Sequence, residues 1–104
     1  MNGCRLVEIS PSAQLDLLAG FDFYEAQQAG LGEYFTDSIL SDLEGLLIHA
    51  GVHVRERRHV YRALASKFPY GIYYQFQGDA AQVIAILDTR LDPRRIRSKL
   101  SSRS

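Results

Sequence analysis

The sequence lacks the features that indicate a disulfide, a membrane segment or an export signal. Its single cysteine, Cys4, cannot form an internal disulfide, which is typical of a protein in a reducing cytoplasm. No run of eighteen or more apolar residues is present, so no membrane-spanning segment is expected. The N-terminal residues also lack the long apolar segment of a signal peptide. We therefore expect a cytoplasmic protein.

Motifs for cofactors, metals and nucleophilic catalysis are missing as well. There is no P-loop, no dinucleotide-binding glycine fingerprint and no Cys-x-x-Cys pair, so no cofactor is expected. His49, His53 and His59 are close in sequence, but Gly51 is expected to end the helix between the first two. Because they would not share a helix face, we predict no metal site. No Ser-His-Asp or Cys-His arrangement is recognisable, and no catalytic residue is assigned.

The distribution of charge is more informative than its total. The net charge of the 104 residues is zero, but residues 1–51 hold eight acidic side chains and one basic one, whereas residues 52–104 hold eleven basic and four acidic ones. This asymmetry favours a basic surface for an acidic or nucleic-acid partner. The alternative is that helices carry the acids and strands the bases, with solvent facing both.

The order of the periodic segments predicts an α+β fold. An N-terminal strand is expected at residues 5–9, followed by two helices, about 10–30 and 33–51, that form an antiparallel hairpin. Three strands then form an antiparallel meander, at residues 60–65, 68–76 and 81–87. The helices are expected to pack on one face of the resulting four-stranded sheet. Residues 1–97 are expected to form a single domain. Pro93 would interrupt any further helix, and residues 98–104 would form a flexible basic tail.

The middle strand of the meander is unusually aromatic, and Pro69 marks its start because proline cannot donate to a strand ladder. Alternation places five large side chains on one face: Phe68, Tyr70, Ile72, Tyr74 and Phe76. This face is predicted to pack beneath the helical hairpin. Tyr73 and Gln75 point to the opposite face, which is predicted to meet a partner. The alternative is that the C-terminal tail covers Tyr73.

Arginines supply the remaining candidate binding groups. One set precedes or enters the first meander strand and another follows the last: Arg55, Arg57, Arg58 and Arg62, then Arg90, Arg94, Arg95 and Arg97. Guanidinium groups bind phosphates and carboxylates through paired hydrogen bonds. The predicted partner-binding residues are Arg58, Arg62, Tyr73, Gln75, Arg90, Arg94 and Arg95. A solvated basic rim is the alternative.

Two long segments of the sequence resemble those of a known protein family. They are VEISPSAQLDLLAGFDFYEAQQAGLGEYF (7–35) and YRALASKFPYGIYYQFQGDAAQVIAILDTRLDP (61–93). They resemble the opening and the strand region of the RelE/ParE toxin superfamily of bacterial type II toxin–antitoxin systems. Within the second segment, the sequence FPYGIYY (68–74) is more similar to the ParE-like and plasmid-stabilisation branch of the superfamily than to the RelE-like branch. The resemblance implies a growth-inhibiting toxin that is neutralised by a cognate antitoxin, a disordered segment that folds on the toxin.

Two activities occur in this superfamily, and the residues of this chain match one of them better than the other. RelE-like members cut messenger RNA on the ribosome, whereas ParE-like members poison DNA gyrase and are not nucleases. In this chain Tyr70 stands where the RNA-cutting members carry a basic residue, and no Tyr or His follows the last strand. If the chain were a nuclease, Arg62, Lys67 and Arg90 would be the candidate phosphate-binding residues, but no general base or acid can be assigned. A ParE-like toxin is therefore preferred. An mRNA endoribonuclease and a non-toxic binding module of the same fold are the alternatives.

Overall fold

A five-stranded sheet separates two layers of helix in the structure, a computed structural model that describes residues 2–104. The elements are β1 (Leu6–Ile9), α1 (Pro11–Gln27), α2 (Leu31–His49), β2 (Val54–Arg55), β3 (Tyr61–Leu64), β4 (Tyr70–Gln77), β5 (Ala80–Asp88) and α3 (Pro93–Arg103). The strand order is β1-β5-β4-β3-β2, with β1 parallel to β5 and the other pairs antiparallel. The predicted α+β class is confirmed. The fifth strand, β2, has two residues, which is too short for a periodic pattern to indicate it.

Helix α1 begins where the sequence indicates and continues through Gly20. The Ser10 hydroxyl accepts a hydrogen bond from the Ala13 amide at 3.1 Å, and Pro11 occupies the first helical position. Gly20 is buried against the ring of Phe35, and a Cβ added there would lie 2.5 Å from a ring carbon. The glycine therefore serves the close packing of α1 on α2 and does not break the helix.

The turn between the two helices depends on a carboxylate and a glycine. Gly30 has a φ of 89°, a conformation that other residues rarely adopt. The Glu25 carboxylate accepts hydrogen bonds from the Gly30 amide at 3.0 Å and the Gly32 amide at 2.9 Å. These bonds satisfy amides at the start of α2, which begins at Leu31, two residues before the expected position.

The alternate large residues of β4 form the centre of the main core, as predicted. Tyr70, Ile72 and Tyr74 are buried in one cluster with Phe35 and other side chains of the helical hairpin. Burying an aromatic or isoleucine side chain contributes about 1.5–3 kcal/mol to stability. Phe76, at the end of the same face, is the exception, since it is 40% exposed.

The C-terminal segment is a helix, which corrects the expected tail at 98–104. Pro93 stands at the first turn of α3 and does not interrupt it, and the Asp92 carboxylate accepts a hydrogen bond from the Arg94 amide at 2.9 Å. Ile96 and Leu100 are buried on the sheet. These two apolar residues, four apart, share one helix face, but the polar and basic residues around them hid that short stripe.

Candidate partner-binding surfaces

The sheet face that carries Tyr73 is covered by α3. Tyr73 is 1% exposed and belongs to a second core cluster with Val60, Ile84, Ile96 and Leu100. Desolvation by this burial raises the pKa of the Tyr73 hydroxyl. The open face that the sequence predicted at Tyr73 is therefore absent, and the alternative, a C-terminal segment over this residue, describes the structure. A partner does not reach Tyr73 while α3 is in place.

Arg62 and Gln75 lie on the same side of the sheet, and both already contact other residues of the chain. Arg62 is directly opposite Tyr73 in the β3–β4 pair, and its Nη1 is 3.5 Å from the Glu56 carboxylate. The Arg62 Nε is buried and has no hydrogen-bond partner among residues 2–104. Gln75 Nε2 donates to Gln82 Oε1 at 3.2 Å. Arg62 is therefore a partly buried ion-pair member and not a free surface cation.

Arg90 is held by a neighbouring carboxylate at the end of β5. Its Nε and Nη2 donate to the two Asp88 oxygens at 3.0 and 2.7 Å. This pairing lowers the pKa of Asp88 and raises that of Arg90. Close by, burial raises the pKa of Tyr70 to about 12, with Tyr24 and Asp88 adding to the shift. Tyr70 therefore stays protonated near neutral pH, which is unsuitable for a general base.

The three candidate phosphate-binding cations do not all lie on the same side of the sheet. Lys67 Nζ lies 5.3 Å from the ring centroid of Tyr34 on α2, and Arg90 influences the pKa of Tyr24 on α1. Both are therefore on the hairpin side of the sheet. Arg62 is on the α3 side. The structure assembles no common phosphate site from them.

Unpaired cations are concentrated on the exposed surface of α3. We call Arg94, Arg95, Arg97 and Lys99 the α3 basic face. Arg94 pairs with Asp92 at 3.1 Å and remains 82% exposed, while the other three have no carboxylate partner among residues 2–104. The loop before β3 lies beside the C-terminal end of α3, because a cleft of about 270 Å³ is lined by Arg57, Arg58, His59, Val60, Gln75, Ser101 and Ser104. None of the second predicted arginine group lines this cleft, so the approach of the two groups stays a prediction.

An ion pair that the sequence did not reveal fastens α3 to the rest of the domain. Arg103 Nη1 and Nη2 lie 2.5 and 3.2 Å from the two Asp16 oxygens, and Nη1 also donates to the Ile84 carbonyl at 3.1 Å. Asp16 in turn accepts from the Ile86 amide at 3.0 Å. Both charged side chains are more than four-fifths buried. No local pattern indicates this contact, since the partners are 87 residues apart.

An apolar groove lies between β1 and α2. It has a volume of about 480 Å³ and is lined by Leu6, Val7, Ile9, Leu40, Leu43 and Leu47, together with Arg5 and Glu44. We call it the β1–α2 groove. Leu40 and Leu47 are 41% and 44% exposed. The sequence analysis missed it, although these two leucines, seven residues apart, lie beside the buried residues Ile39, Leu43 and Leu46 of α2.

The histidines occupy different surroundings. His53 Nδ1 is 2.5 Å from the Tyr74 hydroxyl, which also accepts a hydrogen bond from the Gly51 amide at 2.8 Å. Burial, and then the proximity of His49, lower the pKa of His53. His59 lies in the cleft beside Arg58. Within residues 2–104 no group of three or more His, Cys, Asp or Glu side chains is placed to hold a metal ion, and no helix there is long and apolar enough to cross a membrane.

Comparison with known proteins identifies the fold. No protein-family model and no curated protein matches the sequence. Among solved structures, a chain from the chromosomal ParDE toxin–antitoxin system of P. aeruginosa superposes with a TM-score of 0.68 and 18% sequence identity. The match covers 77% of this chain and 90% of that chain. The two chains therefore share a fold, which confirms the fold that the sequence resemblance implied.

Proposed function

We propose that this chain is the toxin of a type II toxin–antitoxin pair, that it acts by binding a cellular target such as DNA gyrase, and that a cognate antitoxin neutralises it. The fold shared with the ParDE chain supports the toxin–antitoxin assignment. The choice of binding over RNA cleavage rests on one observation, the dispersal of the candidate phosphate-binding cations described above.

The dispersal matters because ribonucleolytic cleavage needs several groups around one phosphate. A base must activate the 2′-hydroxyl, a cation must stabilise the developing charge, and an acid must protonate the leaving oxygen. Arg62 and Arg90 each have a carboxylate partner, and Lys67 lies above an aromatic ring. Tyr70, with a pKa of about 12, supplies no base near neutral pH. A toxin that acts through surface contacts makes none of these demands.

The antitoxin is expected to use two features of the surface. Apolar side chains of a segment that folds on binding would enter the β1–α2 groove, where Leu40 and Leu47 are partly exposed. Acidic side chains of the same segment would pair with Arg5 at the groove and with the unpaired cations of the basic half. Because interface energy is concentrated in buried apolar anchors, the groove should contribute most of the affinity.

Induced expression in a bacterial host tests the toxin assignment. We expect growth arrest with intact messenger RNA, and inhibition of DNA supercoiling by purified gyrase when the purified chain is added. Co-expression of the small protein encoded beside this chain should restore growth and give a co-eluting complex in gel filtration. Cleaved transcripts without gyrase inhibition would transfer the assignment to the endoribonuclease alternative. Unimpaired growth at high expression would favour the non-toxic binding module.

A matched pair of variants tests the docking site. Leu40→Asp with Leu47→Asp places two charges in the β1–α2 groove and should abolish complex formation with the antitoxin. Leu15→Asp with Leu18→Asp makes the same change on α1, where both leucines are more than 60% exposed and outside the groove. The control should keep the complex. Loss of binding in the control alone would place the antitoxin on α1 and refute the groove as its site.

A further inference from the structure

We infer that the α3 basic face and the adjoining Arg57–Arg58 loop form a binding surface for the phosphate backbone of duplex DNA. The inference goes beyond the proposed toxin activity and does not depend on it, because it rests on charge placement alone. Residues 89–104 contain six basic side chains and one acidic one. Of these cations only Arg103 is committed to a buried contact with another element of the fold.

The carboxylates near this surface are too few to neutralise it. Asp92 already pairs with Arg94 and caps α3, and Glu56 already pairs with Arg62. Asp16 and Asp88 line a pocket with Arg95 and Lys99, but their carboxylates already pair with Arg103 and Arg90. Arg95, Arg97 and Lys99 have no carboxylate within 4.0 Å among residues 2–104. A surface with several unpaired cations and few competing acids is the electrostatic footprint expected for a polyanion.

The chemistry of α3 favours a phosphate backbone over a protein partner. The two large aliphatic residues inside the helix, Ile96 and Leu100, are buried on the sheet, and no exposed large apolar side chain of residues 2–104 belongs to α3 or to residues 56–59. Protein interfaces draw most of their energy from apolar and aromatic anchors, and α3 itself offers none; Phe23 of α1 is the one exposed aromatic ring in the pocket that Arg95 and Lys99 line. Phosphate contacts instead come from arginine, lysine and serine side chains. Ser98 and Ser101 are exposed among the cations of α3.

Duplex DNA fits this surface better than a single strand. Proteins that hold single strands stack the bases on exposed aromatic rings. Among the Phe and Tyr residues of 2–104 the exposed rings are Phe23, Tyr34 and Phe76, and of these only Phe23 lines a pocket with Arg95 and Lys99. One ring cannot stack successive bases. The 11-residue helix is about 16 Å long, and its cations occupy both flanks of its solvent-facing side, Arg94 and Arg97 on one flank and Arg95 and Lys99 on the other.

Fluorescence anisotropy with a labelled duplex tests the inference. We expect a Kd of about 1–100 µM near physiological salt, as for binding without base contacts. Three or four phosphate contacts would give a log–log salt slope of about −2.7 to −3.6, so that raising salt from about 50 to 200 mM weakens binding about 40- to 150-fold. A single strand of the same sequence should bind more weakly. Poly-glutamate, as a probe for acidic protein, should not displace the duplex at equal charge concentration.

Two variants with the same residue changes locate the surface. Arg97→Gln with Lys99→Gln should weaken duplex binding about tenfold at low salt and reduce the salt slope by about 2. Arg5→Gln with Lys67→Gln removes the same two residue types outside α3 and the Arg57–Arg58 loop, and should keep the wild-type affinity and slope. Glutamine retains helix propensity close to that of lysine and arginine, so α3 is expected to persist. If the α3 variant nevertheless fails to fold, Arg57→Gln with Arg58→Gln tests the adjoining loop.

Three results would overturn the inference: no duplex binding at low salt, equal losses in the two matched variants, or equal competition by poly-glutamate. Growth arrest and antitoxin binding are separate readouts. A chain that arrests growth without binding DNA would refute the DNA-binding surface and leave the proposed toxin function intact. A chain that binds DNA without arresting growth would refute the proposed toxin function and leave the DNA-binding surface intact.

Discussion

Leu100→Ala tests whether α3 is an integral part of the fold. Leu100 is 0% exposed and packs in the cluster that covers Tyr73. Truncating a fully buried leucine to alanine typically lowers the free energy of unfolding by about 2–5 kcal/mol, depending on how far the site collapses. Since α3 is a single helix at the end of the chain and can settle toward the gap, we expect the lower part of the range, about 2–3 kcal/mol. For a domain of this size the melting temperature should fall by roughly 10–20 °C.

Urea unfolding, followed by circular dichroism and by tyrosine fluorescence, measures this change. Ser98→Ala is the matched control, because Ser98 is exposed on the same helix and its replacement should change the free energy of unfolding by less than about 0.5 kcal/mol. The variant should also lower the pKa of the Tyr73 hydroxyl, since burial beneath α3 raises it. If Leu100→Ala and Ser98→Ala unfold at the same urea concentration, α3 does not stabilise the domain and the packing described here is incorrect.

Three further predictions concern two glycines and a histidine. Gly20→Ala should destabilise by about 1–2 kcal/mol in thermal unfolding, because the new Cβ meets the buried Phe35 ring and the overpacking outweighs the gain in helix propensity. Gly45→Ala, with no atom within 4 Å of the new Cβ, should stabilise α2 by about 0.5–1 kcal/mol; equal shifts for the two glycines would refute the close α1–α2 contact. The folded-state pKa of His53 is lowered from 6.5, so the unfolded chain binds the proton more readily. Stability should therefore fall as pH decreases below about 6.5 and level off below the folded pKa. His53→Gln should remove this part of the pH dependence of the melting temperature, and an unchanged profile would show that burial does not lower the pKa of His53 in the folded chain.

The elements that could be predicted from the sequence are those defined by local patterns. Helix α1 has a serine cap and a proline at its start, and the alternation in β4 places Tyr70, Ile72 and Tyr74 on the buried face. Helix α3 was missed because its buried face consists mainly of Ile96 and Leu100, and two apolar residues do not establish a period.

The surfaces were harder to predict because they depend on contacts between distant segments. The sequence shows the charge asymmetry between its two halves, and the structure shows that part of the positive charge lies on the α3 basic face. The tertiary structure determines which segment covers Tyr73 and which carboxylate pairs with Arg62 or Arg90. The contact of Arg103 with Asp16 joins the two ends of the chain, and neither residue is distinguished in sequence from other surface charges.

The sheet divides the molecule electrostatically as well as structurally. Residues 10–51, which include the helical hairpin, contain seven carboxylates and no lysine or arginine, whereas residues 93–104, which include α3 on the other side, contain five basic side chains and no acidic one. Among residues 2–104 only one ion pair, Asp16–Arg103, links these two segments. Arg94 pairs with Asp92 and the other three cations of the α3 basic face have no carboxylate within 4.0 Å, so α3 presents a positive field and the hairpin a mainly negative one to approaching molecules. An acidic antitoxin that uses the α3 cations would compete with DNA for them. Binding of the antitoxin should then release the duplex, and this displacement distinguishes a shared basic surface from two independent ones.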